Sequence, residues 1–174
     1  YGLKYPEIQF FGQGYIGMIP VPIILTILIL VVSAYLFYKT KFGRYTVSIG
    51  SNEEAAQLVG INVDKIKILV FVLSGVFCAI AGIILASRSE AAIPTAGNAY
   101  EMDAIAATVI GGTSMSGGKG NMFGTALGAI LMATIKNGLS LLNVNTFWHQ
   151  VVIGLFILFA VALDGFATQR ASKS

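Results

Sequence analysis

Charge is scarce in this sequence. Acidic and basic residues together make up 11% of its 174 residues, against about a quarter in ordinary soluble domains. A chain that is 56% apolar has too little polar surface to clothe a water-facing shell, which excludes a soluble globular domain and indicates a membrane protein. Cysteine is nearly absent: Cys78 stands alone inside an apolar run, so neither a disulfide nor a cysteine-rich metal site can form within the chain. His149 is equally alone. Without a second histidine or a nearby carboxylate it reads as an interfacial polar residue beside Trp148, not a metal ligand. The net charge of +3 is not gathered into a stripe, so nucleic acid is not an expected partner, and no cofactor site is apparent. No basic n-region precedes the first apolar run, so no signal peptide is expected, and the start at Tyr1 reads as a piece of something longer.

What the sequence does have is long apolar runs. Residues 20–38 and 66–86 each approach the roughly 20 residues that cross a bilayer as helix. Residues 147–164 form a slightly shorter run, and 121–142 a fourth that Lys136 and Asn137 interrupt. Pro20 and Pro22 suit the first turn of the first span, where missing N–H groups cost little. Basic residues then set the direction. Lys39, Lys41, Arg44, Lys65 and Lys67 flank the segment 39–67, and Arg170 and Lys173 follow the last span, so both are expected in the cytoplasm.

Parity requires one more crossing between residues 87 and 121. Only the short run around 100–112 is apolar enough, and it covers about half the hydrocarbon thickness. A helix this short must be buried in protein or line a watery cavity. The expected fold is therefore all-α: a polytopic transmembrane bundle with four full spans and one short re-entrant crossing. Small residues at Ser74, Cys78, Gly82 and Ala86, and the Gly124-x-x-x-Gly128 pair, predict close helix approach.

The glycine-rich stretch "GGTSMSGGKG", residues 111–120, superficially resembles a phosphate-binding loop. Its spacing fails that reading, because Thr113 stands where the first glycine belongs and Gly120 where a hydroxyl is needed. It reads instead as the inner part of the broken crossing, a hinge whose glycines at 111, 112, 117, 118 and 120 can take positive φ. Lys119 marks its cytoplasmic edge.

Between the first two spans, Ser51 and Glu54 have the spacing of a capping box. Glu53 and Glu54 complement the helix dipole, and Gly60 sits where a left-handed residue would end a helix of about two turns. Glu54-Ala55-Ala56-x-x-x-Gly60 resembles the EAA loop of ATP-binding cassette importer permeases. The isoleucine ten residues after that family's glycine is replaced by Val70, and the Leu-Pro is missing, which departs from the maltose-like branch. The runs "IGSNEEAAQLVGINV", "PTAGNAYEMDAIAATVIGGTSMSGGKG", "GTALGAI" and "NGLSLLNV" more closely resemble ribose and related monosaccharide permeases.

That resemblance implies the C-terminal half (1–174) of a transmembrane permease domain in a bacterial inner membrane. It implies a coupling helix carried by Glu53, Glu54, Ala55, Ala56, Leu58 and Gly60, docking on a cytoplasmic ATPase subunit. It also implies a periplasmic or lipid-anchored sugar-binding protein and a second permease subunit, expected as an identical copy, with membrane lipid around them. Thr95, Asn98, Tyr100, Glu101, Asp103, Thr113 and Ser114 are the candidate residues of the translocation pathway. Branched-chain amino-acid permeases are the nearest alternative. An ion-driven secondary transporter would use Asp103 as its proton carrier. A membrane enzyme would have to use Glu101, Asp103, Ser114 or Ser116 without a histidine relay.

Overall fold

The computed structural model describes residues 6–91 and 93–172. Lys173, the last basic residue of the tail, lies outside the described residues. Eight helices appear among the described residues: α1 (Pro6–Gln13), α2 (Val21–Lys39), α3 (Lys41–Ser51), α4 (Glu53–Leu58), α5 (Val63–Ser89), α6 (Tyr100–Ile110), α7 (Met122–Leu141) and α8 (Thr146–Ser172). The expected all-α fold is interrupted once, by a two-stranded antiparallel hairpin of β1 (Tyr15–Ile16) and β2 (Ile19–Pro20). Gly17 turns it with φ +64.

The chain divides into two compact units. Residues 1–46 and 57–98 form the first, and residues 47–56 and 99–174 the second. In the first unit α1 lies on α5. Gly12 permits this, since a Cβ there would come within 2.5 Å of Ser87 Oγ and of the Arg88 backbone nitrogen. The Gln13 amide then donates to Glu90 Oε1 at 2.9 Å. Pro20 caps α2 and a second proline stands in its first turn, where no hydrogen bond is lost. At its other end the extended backbone of Thr40 breaks the helix. Gly43 then tucks under the Phe37 carbonyl, where no Cβ would fit.

Helix ends are set by polar side chains. Asn62 starts α5 by accepting from the Lys65 N–H, Asp64 and Arg88 sit at the dipole ends they favour, and Glu90 closes the helix in the left-handed region. Three helices, α2, α5 and α7, are long and apolar enough to cross a membrane. Large apolar side chains such as Phe71 and Ile68 are exposed on α5, as a bilayer-facing surface requires. Of the small-residue stripe on α5, Ser74, Cys78 and Gly82 are exposed, and nothing lies within 4 Å of the place a Cβ would take at Gly82.

The second unit holds the only helix seam in which backbones meet among its described residues. On α6, Asp103, Ala107 and Gly111 recur every four residues, and on α7, Gly124, Gly128, Met132 and Lys136 do the same. The helices run antiparallel. A Cβ on Gly111 would lie 2.5 Å from the carbonyl carbon and oxygen of Gly124, and one on Gly128 would strike the Ala107 carbonyl. The Gly124-x-x-x-Gly128 expectation is met here. Ala106, Ala107 and Met132 form the core with Ile153 of α8, and Ala106 is 0% exposed.

Leucine at 128 should therefore separate α6 from α7. Overpacking of this kind costs about 1–3 kcal/mol, and the Gly128→Leu protein should lose several-fold in monodisperse yield on detergent size exclusion. Gly138→Leu, on the same helix but with open space around its α-carbon, should retain the yield.

Candidate functional site

Helix α6 begins without help from a side chain. Ala99, in the left-handed region at φ +66, precedes α6 and makes no side-chain cap. Glu101 and Asp103 occupy the first turn, where their charge complements the free N–H groups. Helix α6 is eleven residues long, or about 16 Å at 1.5 Å per residue. It is too short to cross the hydrocarbon layer alone.

Asp103 does not stand unpaired. Its Oδ2 forms a salt bridge with the Lys136 ammonium on α7, and the two side chains are 20% and 31% exposed. The same ammonium lies 5.1 Å from the centre of the Tyr100 ring, within range of a cation–π contact. Asp103 Oδ1 is buried and has no hydrogen-bond partner. Charges on apolar helices generally face a bundle interior or a water-filled cavity and pair with one another. Of the candidate pathway residues, then, Tyr100 and Asp103 are brought together by Lys136, while Glu101 is exposed on the same turn.

Thr113 and Ser114 lie in the loop that follows. The loop is an ordered turn, held by Thr113 N–H to the Thr108 carbonyl at 3.0 Å, Ser114 N–H to the Lys119 carbonyl at 3.2 Å and Gly117 N–H to the Ser114 carbonyl at 3.3 Å. The hydroxyls of Thr113 and Thr125 are 3.4 Å apart, and Asn121 caps α7 by accepting from the Gly124 N–H. Gly112, Gly117 and Gly118 have φ of +85, +86 and +74, as expected of a hinge. Gly111 does not share that freedom, since it ends α6 at φ −69, and Gly120 is not among the positive-φ residues. Thr95 and Asn98 belong to the first unit, in a turn where the Asn98 N–H donates to the Thr95 carbonyl at 3.3 Å.

The segment 39–67 is more structured than one short helix. Helix α3 runs through Ser51, so Ser51 cannot be the cap of α4. The capping oxygen is Asn52 Oδ1, which accepts from the Ala55 N–H at 2.9 Å. Glu53 and Glu54 fill the first turn of α4, and Gly60 ends the segment at φ +85, the left-handed stop its position implies. Ala55 is exposed and Leu58 is 89% exposed. Ala56 is 3% exposed and faces the chain itself.

Sequence reasoning missed Lys136 as a partner and Asn52 and Asn121 as caps. The caps carried a signal, an asparagine three residues before the N–H it accepts from. The ion pair joins residues 33 apart and had none.

Removing one charge of this pair leaves the other uncompensated, which is costly in a dehydrated setting. In the protein extracted in detergent, Lys136→Met and Asp103→Leu should each lower the thermal unfolding midpoint. The double variant should recover most of the loss.

Comparison with known proteins bears on what these elements serve. The family model for the branched-chain amino acid transport system permease component matches residues 3–161. The chain is 51% identical over 156 residues to the ribose import permease protein RbsC of Bacillus subtilis, covering 90% of this chain and 48% of that protein. It is 48% identical over 154 residues to the xylose transport system permease protein XylH of Escherichia coli K12, covering 88% and 39%. It is 44% identical to RbsC of the same E. coli strain, covering 88% and 48%. The chain thus spans half or less of these relatives' length. No solved structure matches it. A permease component is not an enzyme, and the apolar helices make this one a multi-pass protein of the bacterial plasma membrane. Since the match runs over nearly the whole chain, the protein belongs to the family of permease components described for branched-chain amino acid transport systems.

Proposed function

We propose that this chain is the C-terminal half of the permease subunit of an ATP-binding cassette importer for ribose, xylose or a related monosaccharide. The observation that carries this reading is the 44–51% identity to sugar permeases over 88–90% of the chain. The branched-chain amino-acid alternative has the family description behind it, whereas the relatives compared above are named for ribose and xylose. In this reading α2, α5, α7 and α8 are full spans, and α6 with the loop 111–120 is the re-entrant crossing. The half-length of α6 and its intramembrane ion pair support that arrangement, because neither suits a lipid-facing path. Tyr100, Glu101, Asp103, Thr113 and Ser114, with Thr95 and Asn98, are the pathway candidates. Uptake assays of the complete transporter with labelled ribose, xylose and leucine test the substrate class, and uptake of leucine alone would overturn it.

Helix α4 is the docking element for a cytoplasmic ATPase subunit. A sugar-binding protein delivers substrate at the opposite face, and a second permease copy completes the pathway. The outward surface of α4 supports this: Glu53, Glu54 and Ala55 on its first turns, then Leu58 and Val59, 89% and 77% exposed, ahead of the Gly60 stop. Gly60 shapes the exit and Ala56 anchors the helix inward. Close docking needs small side chains, so Ala55→Arg should reduce ATPase co-purification and lower sugar uptake at least tenfold at unchanged insertion. Normal association with normal uptake would make α4 a solvated connector.

A further inference from the structure

The last turn of α3 and the glycine loop meet backbone to backbone at Gly50 and Gly117. A Cβ on Gly50 would lie 2.9 Å from the Gly118 nitrogen and 3.5 Å from the Gly117 α-carbon. One on Gly117 would strike the Gly50 carbonyl oxygen and lie 2.9 Å from its carbon, and one on Gly118 would meet Ser51. We propose that this contact is the relay by which movement of α4 reaches the re-entrant helix. Gly50, Ser51, Gly117 and Gly118 thereby act as positioning residues for transport. The proposal rests on the reading of α4 as the ATPase-docking helix.

Each link is short and tied. A single residue, Asn52, separates α3 from α4, and it is bonded in both directions. Its N–H donates to the Ser48 carbonyl at 3.1 Å, its carbonyl accepts from the Ala56 N–H at 3.1 Å, and its side chain caps α4. A push on α4 is therefore delivered to Gly50 and Ser51 instead of being absorbed by a slack linker. Between Gly50 and Gly117 there is no rotamer to relax, because backbone meets backbone. Beyond it, the loop bonds to itself through Ser114, Gly117 and Lys119. It is tied to the end of α6 by Gly112 N–H to the Val109 carbonyl at 2.9 Å and Thr113 N–H to the Thr108 carbonyl at 3.0 Å. Helix α6 rests on α7 at Gly111 and Ala107, so displacement there tilts the end that carries Tyr100 and Asp103. That end lies about 12 Å away, eight residues at 1.5 Å each.

The alternative is that the glycines merely pack. Two matched substitutions separate the readings. Gly17 and Gly117 share a left-handed φ, but only Gly117 has a neighbour within 4 Å of its would-be Cβ. An alanine at either is strained by the backbone, and only Gly117→Ala presses on the relay. Gly50→Ala presses on it from the other side with no such strain, in a helix that favours alanine.

The experiment uses the complete transporter with its ATPase and binding protein in lipid nanodiscs and proteoliposomes, reading ATP hydrolysed per sugar moved. Gly50→Ala and Gly117→Ala should raise that ratio at least fivefold with ATPase association intact, and Gly17→Ala should leave it near the native value. Equal ratios in all three, or hydrolysis and uptake falling together, would overturn the relay. Should the alanine variants fail to assemble, a Ser51→Cys, Gly118→Cys pair in a Cys78→Ser background supplies a readout free of activity. Mild oxidation should bridge the two cysteines, and failure to bridge overturns the contact. If the native transporter binds no ATPase, it is the docking reading that fails.

Discussion

Everything in the second unit depends on two helices approaching more closely than side chains permit. Where Gly111 faces Gly124 and Ala107 faces Gly128, α6 and α7 touch through carbonyls and α-carbons. In a bilayer there is no hydrophobic gain from bringing apolar helices together, so association relies on dispersion at close range and on polar pairs. A half-length helix has few residues with which to secure itself. The seam supplies both resources along one stripe: backbone contact at Gly111 and Ala107, then an ion pair at Asp103. Core residues on the neighbouring face of α6, Ala106 and Val109, are buried, and Ile153 of α8 closes the cluster.

The seam also explains how a charged residue of α6 is accommodated against an apolar helix. Asp103 sits one helical step beyond the backbone contacts, on the stripe that faces α7, so Lys136 meets it without searching. Taken by itself, Lys136 is a flaw in a membrane span. Taken with Asp103 and Tyr100, it is the neutral completion of a site that would otherwise carry an isolated charge.

Part of this architecture was legible in the sequence because local chemistry decided it. The shortness of α6 followed from where the apolar run stops, and the left-handed backbone at Gly60, Gly112, Gly117 and Gly118 from glycine where a turn was needed. Helix α3 was not legible: "KFGRYTVSIGS" holds glycines, serines and β-branched residues that favour helix poorly. A Ser–Glu capping box suggested the wrong first residue for α4, since Asn52 offers an equivalent oxygen one position later. Ala56 looked like part of a docking surface because composition cannot tell an inward alanine from an outward one. The meeting of Gly50 with Gly117 and of Asp103 with Lys136 joins distant parts of one chain, and no local spacing encodes it.

The two ends of α6 are held by interactions of opposite character. The Asp103–Lys136 pair is electrostatic, so its strength follows the local dielectric, and its partial burial shields it from salt. The contacts of Gly50 with Gly117, and of Gly111 with Gly124, contain neither a charge nor a rotatable side chain. They are a hard-sphere limit on how near two backbones can come, the same in any buffer. A helix clamped at one end by geometry and at the other by charge responds to its medium at one end only: water reaching Asp103 and Lys136 would loosen the Tyr100 end, while the Gly111 end keeps its register.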